Sequence, residues 1–164
     1  MKSRALFACV LVLTVATLAR GQTKVSGSLE CGKPTAQHSL EVGDRPGHSL
    51  AISQSKCTWT KPFEIAGTQS KEGVATAADE IRGNSIRSRG YFVDTMANGD
   101  QVHYRYQCTT ALKDGMPQGA ECKWTLAGGT GKLKGIKGTG SCTGKPRADG
   151  GFSQECEGDY TLPK

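Results

Sequence analysis

Asp94, His103 and Arg105 lie close together in the chain and carry complementary chemistry. They flank Asn98-Gly99, the strongest short-range signal for a β-hairpin. With Asn98 and Gly99 as a two-residue turn, Asp94 stands across from His103 and Arg105 follows on the same face. A carboxylate beside an imidazole favours the protonated ring, and a guanidinium next to both could orient the carboxylate or hold an anion. Pointing into a barrel, the three could bind a polar head group or move a proton. Pointing outward, they form a solvated charge set of little energetic value. They are the acid–base candidates of the chain, and no catalytic role is assigned to them.

The same register puts Tyr91, Val93, Thr95, Val102, Tyr104 and Tyr106 on one mainly apolar face, with Phe92, Asp94, Met96, Gln101, His103 and Arg105 on the other. Tyr91, Tyr104, Tyr106 and Trp124 are the ligand-binding candidates, and with Trp59 they supply the large aromatics for a core or a pocket. A small barrel is just wide enough to be filled by side chains or to hold one small ligand.

Seven cysteines occur, of which Cys9 sits in the apolar N-terminal run. Four of the other six fall in two copies of Cys-Thr-x11-Glu-Cys: Cys108 to Cys122 and Cys142 to Cys156. Each copy has an Asp-Gly step at its centre, Asp114-Gly115 and Asp149-Gly150, so each reads as a hairpin stapled across its arms. Six cysteines allow many pairings. The repeat favours Cys108–Cys122 and Cys142–Cys156, which leaves Cys31–Cys57. No Cys-x2-Cys or close Cys/His spacing occurs, so no metal site is expected, and no cofactor is implied. His38 and His48 flank a turn at Asp44-Arg45-Pro46-Gly47 with no matching thiolate or carboxylate ligand, and are expected at the surface.

The Gly-rich stretch around Gly128-Gly129-Thr130-Gly131-Lys132 is not a phosphate loop. Leu126 stands where the first glycine is needed, and Leu133 where Ser or Thr should hold magnesium. Arg82, Arg87 and Arg89 with Lys132, Lys134 and Lys137 form the basic clusters, which could serve as a modest contact face for an acidic partner.

The elements that must position these groups begin after a leader. Lys2 and Arg4 precede an apolar run over 5–18, with small residues at Ala19 and Gly21, the layout of a signal peptide over 1–21. The alternative cleavage point is after Ala19. The run is too short to span a membrane comfortably. The remaining 22–164 make one domain, and its net charge falls from +6 to +3 when Lys2, Arg4 and Arg20 leave. That charge gives no case for nucleic acid or an anionic membrane. An even cysteine count in an exported chain points to an oxidising destination, secreted or periplasmic.

Alternation and Gly-rich punctuation run through the domain and helical periodicity does not, so it is all-β. Strands are expected near 38–42, 49–57, 63–68, 74–81, 86–95, 101–106, 120–127, 137–143 and 152–162. Short turns between about eight to ten antiparallel strands suit a single up-and-down barrel of about eight strands, which removes exposed edges.

The stretch Trp124-Thr125-Leu126-Ala127-Gly128-Gly129-Thr130-Gly131-Lys132-Leu133-Lys134-Gly135-Ile136-Lys137-Gly138-Thr139-Gly140 resembles the Gly-rich turn of the allene oxide cyclase and dirigent barrels, above all that of their small exported bacterial relatives of unassigned function. The 91–106 segment is similar to a strand pair of those relatives, and the likeness spans roughly 63–162. The resemblance implies an eight-stranded barrel whose interior holds a small hydrophobic molecule. For the plant enzymes it further implies cyclisation of a fatty-acid epoxide, or control of phenol radical coupling. No catalytic residue carries over.

The expectation is therefore an exported, non-catalytic β-barrel module that binds a small hydrophobic or amphipathic ligand. Two alternatives stand beside it: an isomerase or cyclase using Asp94, His103 and Arg105, and an interaction protein using the basic turn face.

Overall fold

The computed structural model describes residues 21–163. The expected leader, apart from its last position, lies outside the described residues. Ten strands follow in order: β1 (Thr23–Cys31), β2 (Ala36–Glu41), β3 (His48–Lys61), β4 (Glu64–Ile65), β5 (Thr68–Arg82), β6 (Ser85–Met96), β7 (Gln101–Lys113), β8 (Met116–Gly129), β9 (Lys137–Pro146) and β10 (Phe152–Thr161). A 3-10 turn at Gly131–Leu133 separates β8 from β9.

Eight strands, β1, β3 and β5 to β10, pair antiparallel with their neighbours around a ring. β1 joins both β10 and β3, and β3 joins β5, so the barrel closes without an edge in its wall. The up-and-down barrel expected from the sequence is present. β1 was not among the expected strands, yet it closes the wall. The segment expected as a strand near 63–68 contains the two-residue β4 and, at Thr68, the first residue of β5. Phe63, next to β4, lies across one end of the barrel, its ring 4.5 Å from that of Trp59 and 6.1 Å from that of Trp124. Phe63, Ile65, Met96, Val102, Leu133 and Ile136 are fully buried and fill that end.

The turn between β6 and β7 sets which residues enter the barrel. Asn98-Gly99 was expected as a two-residue turn, but Met96 N–H donates to the Asp100 carbonyl at 2.8 Å, so three residues, 97–99, close the loop. Gly99 has φ +85°, the left-handed position that ends a three-residue hairpin loop. Asn98 Oδ1 accepts the Asp100 N–H at 3.0 Å and locks it. One extra loop residue slips the register by one and moves the whole of β7 to the other face relative to β6. Phe92 now pairs with Tyr104, Val93 with His103, and Asp94 with Val102. Core burial explains the choice, since this register sends Phe92, Met96, Val102 and Tyr104 inward together, where the alternative would have set Phe92 opposite Arg105 and Met96 opposite Gln101.

The Asp114-Gly115 turn is a two-residue loop with both φ values positive, 52° and 76°. At the second Asp-Gly step the loop is longer: Arg147 N–H donates to the Gly151 carbonyl at 2.9 Å. Both hairpins nonetheless bring their cysteines directly opposite each other. Three disulfides form, Cys108–Cys122 and Cys142–Cys156 as the repeat favours, and Cys31–Cys57 between the two cysteines that the repeat leaves. Each of the two repeat bridges closes a loop of a size worth about 3 kcal/mol in the chain-entropy model.

Candidate functional site

The barrel lumen forms a partly open cavity of about 100 Å³ whose walls include Leu29, Phe92, Tyr104, Trp124 and all three disulfides. Inward alternation along each strand brings the aromatics there. Trp124 on β8 fits because Gly140 and Gly158 face it, and a Cβ at either position would collide with its ring. Phe92, Tyr104 and Trp124 pack in sequence, with centroids 5.7 Å apart for the first pair and 5.5 Å for the second, the latter edge to face.

Below the aromatics lies Asp94, 0% exposed. Trp59 Nε1–H donates to its Oδ1 at 3.0 Å, and Ser70 Oγ–H donates to its Oδ2 at 2.6 Å. Burial is the largest influence on this carboxyl and raises its pKa to about 6, against the two hydrogen bonds, which lower it. Burial and the nearby charge of Asp94 push the Tyr104 hydroxyl well above the ordinary tyrosine range. Burial, then Asp79, pushes Tyr106 to about 12. Both tyrosines therefore stay protonated across physiological pH. Tyr104 Oη and Trp124 Nε1 are buried and have no hydrogen-bond partner among the described residues.

The structure separates the acid–base candidates. The slipped register leaves His103 and Arg105 on the outer face while Asp94 points inward. His103 Nε2 lies 3.4 Å from Gln101 Oε1, and the Arg105 guanidinium sits 5.8 Å from the Tyr91 ring centroid. Of the aromatic candidates, Tyr104, Tyr106 and Trp124 line the cavity. Tyr91 does not: at 56% exposed it is outside, for the same reason of register. The partners that hold Asp94, Trp59 and Ser70, are 35 and 24 residues away in sequence. No local pattern announces them.

His48 also differs from expectation. It is buried, with Nδ1 2.6 Å from Asp44 Oδ1 and Nε2 3.3 Å from Glu80 Oε1. The Asp44 carboxylate was in view at four residues' separation, whereas Glu80 arrives through the β3–β5 pairing. No group of His, Cys, Asp and Glu suited to a metal occurs among the described residues. The basic residues divide between two ends of the barrel. Arg87 pairs in register with Glu80 near the start of β6, and Arg82 bonds Glu80. Lys132 lies in the 3-10 turn, which follows Thr130, whose N–H donates to the Gln101 carbonyl beyond the far end of β6. Leu40, Leu50 and Ile52 form an exposed apolar strip on β2 and β3.

No family model matches the chain, and no curated protein matches it. Among solved structures, a pterocarpan synthase dirigent protein is similar with a TM-score of 0.50 at 12% identity, covering 98% of this chain and 100% of that one. A protein of unknown function of the DUF3224 family from Shewanella oneidensis has a TM-score of 0.49 at 19% identity, covering 88% and 99%. A conserved protein of unknown function from Rhodopseudomonas palustris has a TM-score of 0.45 at 8% identity, covering 88% and 100%. The dirigent likeness concerns the fold, and no residue role follows from it.

Proposed function

We propose that this chain is an exported, disulfide-stapled barrel that holds a small apolar or amphipathic molecule in its lumen without acting on it chemically. The observation that carries this reading is the cavity of about 100 Å³ walled by aromatics and half-cystines. An apolar cavity of about 150 Å³ holds benzene, and drug-sized ligands fill about 300–1,000 Å³. At about 100 Å³ the lumen is smaller than either, and because it opens at its mouth it suits a single ring, or a ring-sized part of a larger molecule, seated partly in that opening. An extended fatty-acid epoxide enclosed whole is too large for it, which weighs against the cyclase reading. Asp94 has both oxygens engaged by Trp59 and Ser70 and faces neither His103 nor Arg105. That leaves no acid–base pair to do work in the lumen.

Export rests on the charged start and apolar run over 2–18. Three disulfides fit a protein that matures in an oxidising compartment. Native mass spectrometry of protein purified from its own host tests both parts. The expected result is a chain beginning near residue 22 with a small molecule that leaves on activation. A chain retaining 1–21 would refute export. An empty protein that also fails to take up cyclohexane or cyclohexanone would refute lumen binding.

A further inference from the structure

The wall of the lumen has a chemical bias beyond its apolar character. Among the described residues, none that lines it is Lys, Arg, His, Asp or Glu. Its polar members are Tyr104, Tyr106, Trp124, Gln154 and Trp59, and the Trp59 N–H is already committed to Asp94. Of the other four, Tyr104 Oη–H and Trp124 Nε1–H, on the adjacent strands β7 and β8, are the two that are fully buried without a hydrogen-bond partner among the described residues, and their rings meet edge to face at 5.5 Å. A buried unpaired donor costs free energy comparable to a lost hydrogen bond, so a guest that supplies an acceptor removes that cost on entering. The electrostatics add a second filter. The Asp94 carboxyl lies close enough to Tyr104 for its charge to be felt there, and no cation in the wall offsets it. A carboxylate guest would lose its hydration, meet a like charge and find no counter-ion.

We propose that the lumen selects neutral, ring-sized molecules bearing a carbonyl-type acceptor, received by Tyr104 Oη–H and Trp124 Nε1–H, and rejects the corresponding carboxylates. This rests on the lumen-binding reading above and narrows it to a ligand class. A phenol or alcohol would engage the same donors through its oxygen, more weakly than a ketone, since the hydroxyl is the poorer acceptor.

Cyclohexane, cyclohexanone and cyclohexanecarboxylate are three probes of similar ring size that differ in this respect. Titrated at neutral pH into the oxidised, ¹⁵N-labelled protein, they can be followed on the indole N–H signals, of which the chain's two tryptophans give only two. Cyclohexanone is expected to bind roughly tenfold more tightly than cyclohexane and to shift the Trp124 signal most. The carboxylate is expected not to bind. Tyr104→Phe keeps the ring and removes an unpaired hydroxyl, so it should fold and lose most of the preference for the ketone over cyclohexane. Equal binding of cyclohexane and cyclohexanone would overturn the selectivity while leaving lumen binding intact. So would carboxylate binding as tight as the ketone's, or a ketone preference untouched in Tyr104→Phe. Failure of all three probes to bind would overturn both readings.

Discussion

Asp94→Asn should abolish a pH dependence of stability that the unaltered protein carries between about pH 4 and pH 6. Burial lifts the Asp94 pKa from its ordinary 3.8 to about 6 in the folded protein. Between those values the folded chain holds a proton that the unfolded chain has released. Stability therefore falls as pH rises through the window: this contribution is fully present below about pH 4 and is lost once the pH passes the folded value. The displacement corresponds to about 3 kcal/mol, a large share of the roughly 5–15 kcal/mol that holds a domain together. Asparagine keeps an acceptor for the Trp59 N–H and does not ionise, so the variant should gain about this amount relative to the parent between pH 4 and pH 7. Urea unfolding of the two oxidised proteins at a series of pH values measures the difference directly. Asp44, Glu80 and Asp149, whose pKa values are lowered, contribute with the opposite slope at the acid edge and cancel between the two proteins. A difference that stays flat with pH would show that Asp94 ionises normally. One that moves against the variant as pH rises would show that the ion, and not the acid, is the favoured buried form.

The remaining expectations follow from packing and register. Gly158→Ala should destabilise the fold by about 1–3 kcal/mol in a thermal melt or prevent folding, because its Cβ would meet the Trp124 ring. His103→Ala and Arg105→Ala, both on the outer face, should leave cyclohexanone affinity unchanged; a loss would place them in the site. Cys108 and Cys122 lie 4.0 Å apart at Cα, the close type of antiparallel pair, so Cys122 and Cys142, also directly opposite, form the wide type near 5.5 Å, which a disulfide can span. The double variant Cys108→Ser, Cys156→Ser should therefore form a Cys122–Cys142 bridge detectable by peptide mapping, where persistent free thiols would contradict the register.

What could be seen in the sequence was mostly local. Asp114-Gly115 specifies its own two-residue turn, and the two Cys-Thr-x11-Glu-Cys copies place their half-cystines across hairpins that the turns already define. The Asn98-Gly99 signal was sound for a turn but compatible with loops of two or three residues. The choice was made by which side chains of β7 could be buried against Phe92 and Met96, a question that no turn motif answers. β1 escaped notice because its inward set, Val25, Gly27, Leu29 and Cys31, is short, interrupted by glycine and paired with strands far along the chain. Both partners of Asp94 and one of the partners of His48 arrive through such long-range pairings, so those polar clusters had no sequence signature.

Intermolecular NOEs between bound cyclohexanone and the protein show where the guest sits. Binding in the lumen predicts contacts from the probe to Leu29, Phe92 and Trp124. Contacts confined to the exposed strip of Leu40, Leu50 and Ile52, or saturable binding with no lumen contact, would contradict it.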